Sequence, residues 1–148
     1  MLTTSLSSGW YTITSNTGPV DTCQVGDSIH VVVNQSQYFY VELLSDGTYV
    51  IHPNNWYDGT VQTTSDYRLV AQSGQQPWVI TSYGDQANTY TIVEVDDSSL
   101  AWTDEKQGSP GCDHWLYVDA FDPTNVPPSQ QFTIVPANGL RGKIHKRK

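Results

Sequence analysis

Three copies of one short pattern constrain this chain more than anything else in it. They read Gln37-Tyr38-Phe39, Gln76-Pro77-Trp78 and Gln130-Gln131-Phe132: a glutamine, any residue, then a large aromatic. Each runs on as an alternating strand, through Tyr40-Val41, Val79-Ile80 and Thr133-Ile134. The first two are followed, across a turn, by strands of a second wording, Tyr49-Val50-Ile51 and Tyr90-Thr91-Ile92. The third strand of that wording, Tyr11-Thr12-Ile13, stands at the other end of the chain, just after Gly9-Trp10. A repeat whose two parts lie at opposite ends describes a closed ring. The N-terminal strand is predicted to pair with the last one, and three similar units to surround one core. Alternation buries one face of each strand. Tyr11, Ile13, Phe39, Val41, Tyr49, Ile51, Trp78, Ile80, Tyr90, Ile92, Phe132 and Ile134 are therefore expected to point inward.

The Tyr-x-Ile strands begin at 11, 49 and 90, and the aromatic anchors sit at 39, 78 and 132. Such a unit is too long for one hairpin and fits about four short strands with turns. The third unit carries roughly 15 extra residues. With 148 residues one domain is the default, here residues 1–138, followed by a tail at 139–148. Hydrophobic content is 37%, which strands with one buried face can manage because half of each strand is polar. No stretch sustains a helical period. Turn signals recur at Thr17-Gly18-Pro19, Asp46-Gly47, Asp58-Gly59, Ser109-Pro110-Gly111 and Pro127-Pro128, at the intervals an all-β barrel needs.

Charge excludes one class of partner. Of seven Lys and Arg, five lie in the tail: Arg141, Lys143, Lys146, Arg147 and Lys148. The first 138 residues keep only Arg68 and Lys106 against all fifteen carboxylates, a formal balance of −13. Such a body repels phosphate backbones, so no nucleic acid is expected. The tail reads as a disordered, solvated terminus. No apolar run suits a membrane span, and Met1-Leu2-Thr3-Thr4-Ser5-Leu6 lacks the features of a signal peptide. The expected location is cytoplasmic, with release by a leaderless route as the alternative. On that reading Cys23 and Cys112 are expected to stay reduced. Asn34-Gln35-Ser36 is a glycosylation sequon that would matter only in a secreted protein.

An enzyme is not expected. His30, His52, His114 and His145 show no metal-ligand spacing, and no nucleophile motif, phosphate loop or cofactor motif occurs. The acid pairs Asp96-Asp97 and Asp104-Glu105 read as solvated turns. Recognition on loops fits a small β scaffold better. Asn55, Trp56, Tyr57 and Asp58 put two rings beside an amide and a carboxylate, a mixture that suits a sugar or a ring folded back over the barrel end. Residues 103–111 form a polar loop stiffened by Pro110, with Glu105, Lys106 and Gln107 at its centre. Residues 121–128 form a Pro-rich loop that occupies the extra length of the third unit.

Three Gln-x-aromatic units with a closing Gly9-Trp10-Tyr11-Thr12-Ile13 resemble the β-trefoil, the fold of ricin-B-type lectins. Residues 8–137 carry the likeness, and its details resemble two groups of mushroom β-trefoil proteins. One is the cospin and cnispin type of serine-protease inhibitor; the other is the ricin-B-like lectins. The wording is closer to the inhibitors in Asn88-Thr89-Tyr90-Thr91-Ile92 with Leu100-Ala101-Trp102, in Asp58-Gly59 leading to Trp78-Val79-Ile80, and in Pro127-Pro128-Ser129-Gln130-Gln131-Phe132-Thr133-Ile134. This likeness implies an all-β fold of twelve short strands in three pseudo-symmetric units. It also implies a protein that blocks a serine protease through an exposed loop, with Lys106 offered to a trypsin-like pocket. Where that group places a reactive loop, Gln24-Val25-Gly26-Asp27 is short, so Lys106 takes its place. The lectin likeness implies instead a glycan partner and sugar contacts at Asn55, Trp56, Tyr57 and Asp58. The Asp and aromatic pattern of ricin-type sites does not recur in all three units, so at most one or two sites would survive. Neither reading implies a metal or cofactor.

Overall fold

The computed structural model describes residues 6–55, 58–105 and 109–137. Among them lie twelve strands: β1 (Gly9–Thr14), β2 (Val20–Val25), β3 (Ser28–Val33), β4 (Tyr38–Leu43), β5 (Tyr49–His52), β6 (Thr60–Thr63), β7 (Leu69–Gln72), β8 (Trp78–Ser82), β9 (Thr89–Glu94), β10 (Leu100–Thr103), β11 (Tyr117–Ala120) and β12 (Phe132–Pro136). A single 3-10 turn, Pro128–Gln130, leads into β12.

Six strands close on themselves in the order β1, β4, β5, β8, β9, β12 and back to β1, every pair antiparallel. The register repeats three times. Each Tyr of a Tyr-x-Ile strand stands opposite one aromatic anchor: Tyr11 faces Phe39, Tyr49 faces Trp78 and Tyr90 faces Phe132. Between units, aliphatic residues face each other: Val41 and Ile51, Ile80 and Ile92, Ile134 and Ile13. Each directly opposed pair is a unit of sheet stabilisation worth about 0.2–1 kcal/mol, and closure leaves the ring without an open edge.

The other six strands form the hairpins β2–β3, β6–β7 and β10–β11. β3 pairs with β7, and single bridges Val32–Trp115 and Arg68–Tyr117 bring in the third hairpin. Val20, Val61, Leu69, Trp102, Leu116 and Val118 enter the same core as the barrel residues. At its centre the Trp102 ring stands edge-on to both Trp78 and Phe132, each at 5.7 Å. Such contacts add about 0.5–1.5 kcal/mol apiece to the burial term. Trp78 also donates its indole N–H to the Val61 carbonyl at 3.1 Å. Ten of the twelve residues expected inside are buried. Ile80 and Tyr90 are half-buried and pack against the core rather than within it.

The repeated glutamines turn out to be staples between a hairpin and the barrel. The Thr22 backbone N–H and hydroxyl both donate to Gln37 Oε1, at 3.1 and 2.9 Å. In the second unit the Thr63 N–H donates to Gln76 Oε1 at 2.7 Å, and Gln76 returns a bond to the Thr63 hydroxyl. In the third, Gln130 Nε2 reaches the Thr103 hydroxyl at 3.0 Å and the Ala120 carbonyl at 2.8 Å.

Cys23 and Cys112 are not reduced, against expectation. They form a disulfide across a Cα–Cα distance of 5.6 Å. The expectation rested on the redox compartment, which carries no geometric information. The fold brings β2 and the β10–β11 loop side by side, and such a bond persists in oxidising surroundings.

Candidate functional site

Three corresponding places in the barrel can be compared. Each lies where a hairpin strand, the stapling glutamine and the loop after a barrel strand meet. In the first unit this is an open cleft of about 450 Å³, lined by Asp21, Thr22, Gln35, Ser36, Gln37, Tyr38, Asn54 and Asn55. Asp21 is held by backbone N–H groups: Thr22 donates to its Oδ1 at 2.8 Å and Gln35 to its Oδ2 at 3.2 Å. Each carboxylate oxygen keeps capacity for another donor. Gln37 spends its carbonyl oxygen on Thr22, which aims its amide as a donor. The Tyr38 ring lines the same cleft. An acceptor, a donor, three further amide residues and an aromatic residue thus converge on one concave surface.

In the third unit the corresponding place is closed. Asp104 and His114 have fully buried side chains, with His114 Nε2 at 2.7 Å from Asp104 Oδ1. Asp104 Oδ2 accepts from the hydroxyls of Ser15 at 2.6 Å and Thr17 at 2.5 Å. His114 Nδ1 lies 3.2 Å from the Ser109 carbonyl, so both ring nitrogens face oxygen acceptors. This corrects the reading of Asp104-Glu105 as a solvated pair. Asp104 is interior, and only Glu105 lies at the surface.

Glu105 hydrogen-bonds Asp119. That bond, with burial and the neighbouring charge, pushes Glu105 up to about 7 and holds Asp119 below its usual range. Lys106 and Gln107 lie outside the described residues. Both ends of their loop are firmly held. On one side the Asp104 N–H donates to the Ser129 carbonyl at 2.9 Å. On the other, Gly111 N–H donates to the Val33 carbonyl at 2.8 Å, and Cys112 is in the disulfide. Of the expected sugar loop, Trp56 and Tyr57 also lie outside the described residues. Asn55 joins the Asp21 cleft, and its carbonyl accepts from the Asp58 N–H at 3.0 Å. Asp58 does not line the cleft, and burial pushes its carboxyl upward. The loop closes at Gly59, where φ is +93° and a Cβ would stand 2.0 Å from the Gln72 carbonyl oxygen.

Sequence reasoning missed Asp21, Gln35 and Tyr38 as site residues. The available signal was an Asp directly before the Thr that Gln37 staples, a position filled by Gln62 in the second unit. Arg68, the other base of the body, stands just before β7. Its guanidinium lies 3.9 Å over the Trp115 ring and bonds Asp66 at 3.3 Å. Another groove, of about 570 Å³ between β8, β9 and the Phe121–Val126 loop, combines the apolar Val79, Val93, Val95, Phe121 and Val126 with polar residues that include Thr81, Ser82, Thr91 and Glu94. No group of three or more potential metal ligands occurs among the described residues. No helix among them is long and apolar enough to cross a membrane.

A six-stranded closed barrel with three hairpins attached defines the β-trefoil class. The chain is similar in structure to a ricin B-like lectin of Macrolepiota procera solved in complex with lactose. The TM-score is 0.66 at 17% identity, over 90% of this chain and all of that one. At that identity the likeness carries the fold. No family model matches the sequence, and no curated protein does.

Proposed function

We propose that this protein binds carbohydrate, with the Asp21 cleft as its principal site. The observation that carries this reading is the convergence of Asp21, Gln37, Tyr38, Asn54 and Asn55 on one open cleft. A sugar offers vicinal hydroxyls and one apolar ring face. The Asp21 carboxylate accepts from the hydroxyls, the Gln37 amide donates to a hydroxyl oxygen, and the Tyr38 ring packs on the apolar face. The fold supports the reading, because the structurally similar mushroom lectin was solved holding lactose. A glycan array followed by titration tests it, with lactose as the first soluble ligand. Asp21→Asn is expected to weaken the bound glycan by about tenfold, near 1.4 kcal/mol. Undiminished binding by that variant would move the site elsewhere, and a blank array would end the reading.

A second reading draws support from the bracing of the 105–108 loop. The described residues on either side are fixed by the Asp104–His114 contact and the Cys23–Cys112 disulfide, and fixed ends reduce the entropy a protease-blocking loop would lose on docking. On this reading Lys106 enters the pocket of a trypsin-like protease. Lys106→Ala should weaken trypsin inhibition by at least about tenfold. Absence of inhibition by the wild type removes the role of Lys106.

A further inference from the structure

The groove between β8, β9 and the loop of residues 121–128 breaks the pseudo-threefold pattern. At one outward-facing position of the barrel, the three units place directly opposed pairs. These are Tyr40 with His52, Val79 with Val93, and Thr133 with Thr14. The second pair is wholly apolar. Val95 continues it, at the place held by Asn16 and Asn54 after the other two Tyr-x-Ile strands. The facing wall comes from the extra length of the third unit, through Phe121, Pro123 and Val126. An apolar stretch of outer barrel thus coincides with the loop that covers it. Val93 is 6% exposed beneath that cover, while Val79 and Val95, at 38% and 39%, stay open to the groove.

The loop is braced before anything binds. Phe121 N–H donates to the Ser99 carbonyl at 2.7 Å. Asp122 Oδ1 accepts from the Thr124 N–H at 2.9 Å and from its hydroxyl at 2.7 Å. Gln131 Nε2 donates to the Val126 carbonyl at 3.0 Å. Pro123, Pro127 and Pro128 restrict the backbone further. A preformed wall leaves a ligand little ordering to overcome. The volume, about 570 Å³, falls within the range of roughly 300–1,000 Å³ for small-molecule sites. Charge narrows the chemistry. No described basic side chain lines the groove, Glu94 does, and the body balances at −13. An anion would lie there unpaired. We infer that this groove binds a small, uncharged ring hydrocarbon bearing a hydroxyl group, an alicyclic or aromatic alcohol. Its ring packs on Val79, Val95 and Phe121, which removes apolar surface from water on both sides. Its hydroxyl bonds at the end lined by Thr81 and Thr91. A rigid ring suits the site better than an open chain, because it has fewer rotamers to lose. The groove shares no lining residue with the Asp21 cleft, so the inference stands apart from the carbohydrate reading.

The test is an NMR titration of the full chain at neutral pH with 2-naphthol, with 2-naphthoate as its anionic counterpart and lactose as a polar control. 2-Naphthol should shift the methyl signals of Val79, Val93, Val95 and Val126. It should bind at least about tenfold more tightly than 2-naphthoate, whose charge finds no partner in the groove. Val95→Lys, at an exposed position, should weaken 2-naphthol by at least about threefold and bring 2-naphthoate to equal or tighter affinity. Should that variant fail to fold, Phe121→Ala decides, with an expected loss of at least about threefold in 2-naphthol affinity. Shifts confined to other parts of the molecule overturn the inference. So does equal affinity for the two naphthalenes, or a folded Val95→Lys chain that keeps the wild-type preference. Lactose moving these valines instead of the Asp21 cleft overturns it as well, by making the groove a sugar site.

Discussion

At the scale of single residues, two neighbours in sequence have opposite fates. Asp104 is buried and bonded on both oxygens, while Glu105 faces outward and shares a hydrogen bond with Asp119. That bond, more than burial, raises Glu105 from an ordinary 4.5 to about 7. In the unfolded chain the proton leaves near the ordinary value, whereas in the fold it stays until about 7. The folded state therefore binds the extra proton within this window, and the Glu105 contribution to stability falls as pH rises through it. Asp119 acts in the other direction at lower pH. Its depressed value contributes stability above the ordinary carboxylate range, lost as pH falls. A carboxyl NMR titration should place Glu105 near neutrality, and Glu105→Gln should flatten the fall in melting temperature between about pH 4.5 and 7. A Glu105 midpoint near 4.5 would refute the shared bond. Nothing in the two-residue spelling separates these fates. Asp104 is buried because His114 arrives from a loop without periodicity, ten positions on, and such a meeting leaves no mark in a local pattern. The aromatic anchors were legible for the opposite reason: Tyr11, Tyr49 and Tyr90 meet Phe39, Trp78 and Phe132 through strand register, which alternation does encode.

At the scale of elements, the described flanks of the β10–β11 connection are anchored by the Asp104 hydrogen bonds and by the disulfide at Cys112. Asp104→Asn should cost about 1–3 kcal/mol, because the buried hydrogen bonds from Ser15, Thr17 and His114 lose or weaken their shared acceptor. Denaturant unfolding measures it, and a loss below about 1 kcal/mol would mean that water replaces the carboxylate. The disulfide closes a span of 89 residues. The chain-entropy estimate for so long a loop is on the order of 4–5 kcal/mol. Reduction, or Cys112→Ser, should lower unfolding stability by a similar amount, and an unchanged midpoint in reductant would contradict the bond. The hairpins were less legible than the barrel strands. Val20-Asp21-Thr22 and Val61-Gln62-Thr63 are alike, but the stapled Thr103 of the third hairpin follows Ala101-Trp102, with a buried Trp102 ring where the other two units carry Asp21 and Gln62. The first cleft was half legible: Asn55 was expected, whereas Asp21 and Tyr38 come from distant strands that only the closed ring brings together.

At the scale of the whole molecule, charge divides the chain. Fifteen carboxylates lie in the body, and five of seven bases lie beyond residue 140. Deleting residues 140–148 should leave the melting temperature within about two degrees, since Leu140 and Ile144 offer little burial to offset ordering. A larger loss would show that the tail docks on the acidic body. Partner binding near Lys106 should weaken with added salt wherever the partner is basic, because the attraction is then between whole surfaces.

The pairing of β1 with β12 also bears on how the molecule comes to be folded. β1 is bonded on one side by β4, only some thirty residues away, but on the other by the last strand of the body. As the chain emerges, that second side waits for nearly the whole body to follow. Closure over such a separation is slow, since loop entropy must be met before the contact forms. In that interval β1 presents a bare row of backbone donors and acceptors beside Trp10 and Tyr11, a template for pairing with another chain. A ring that leaves the finished barrel no open edge thus makes its assembly dependent on the final strand and sensitive to crowding by copies of itself.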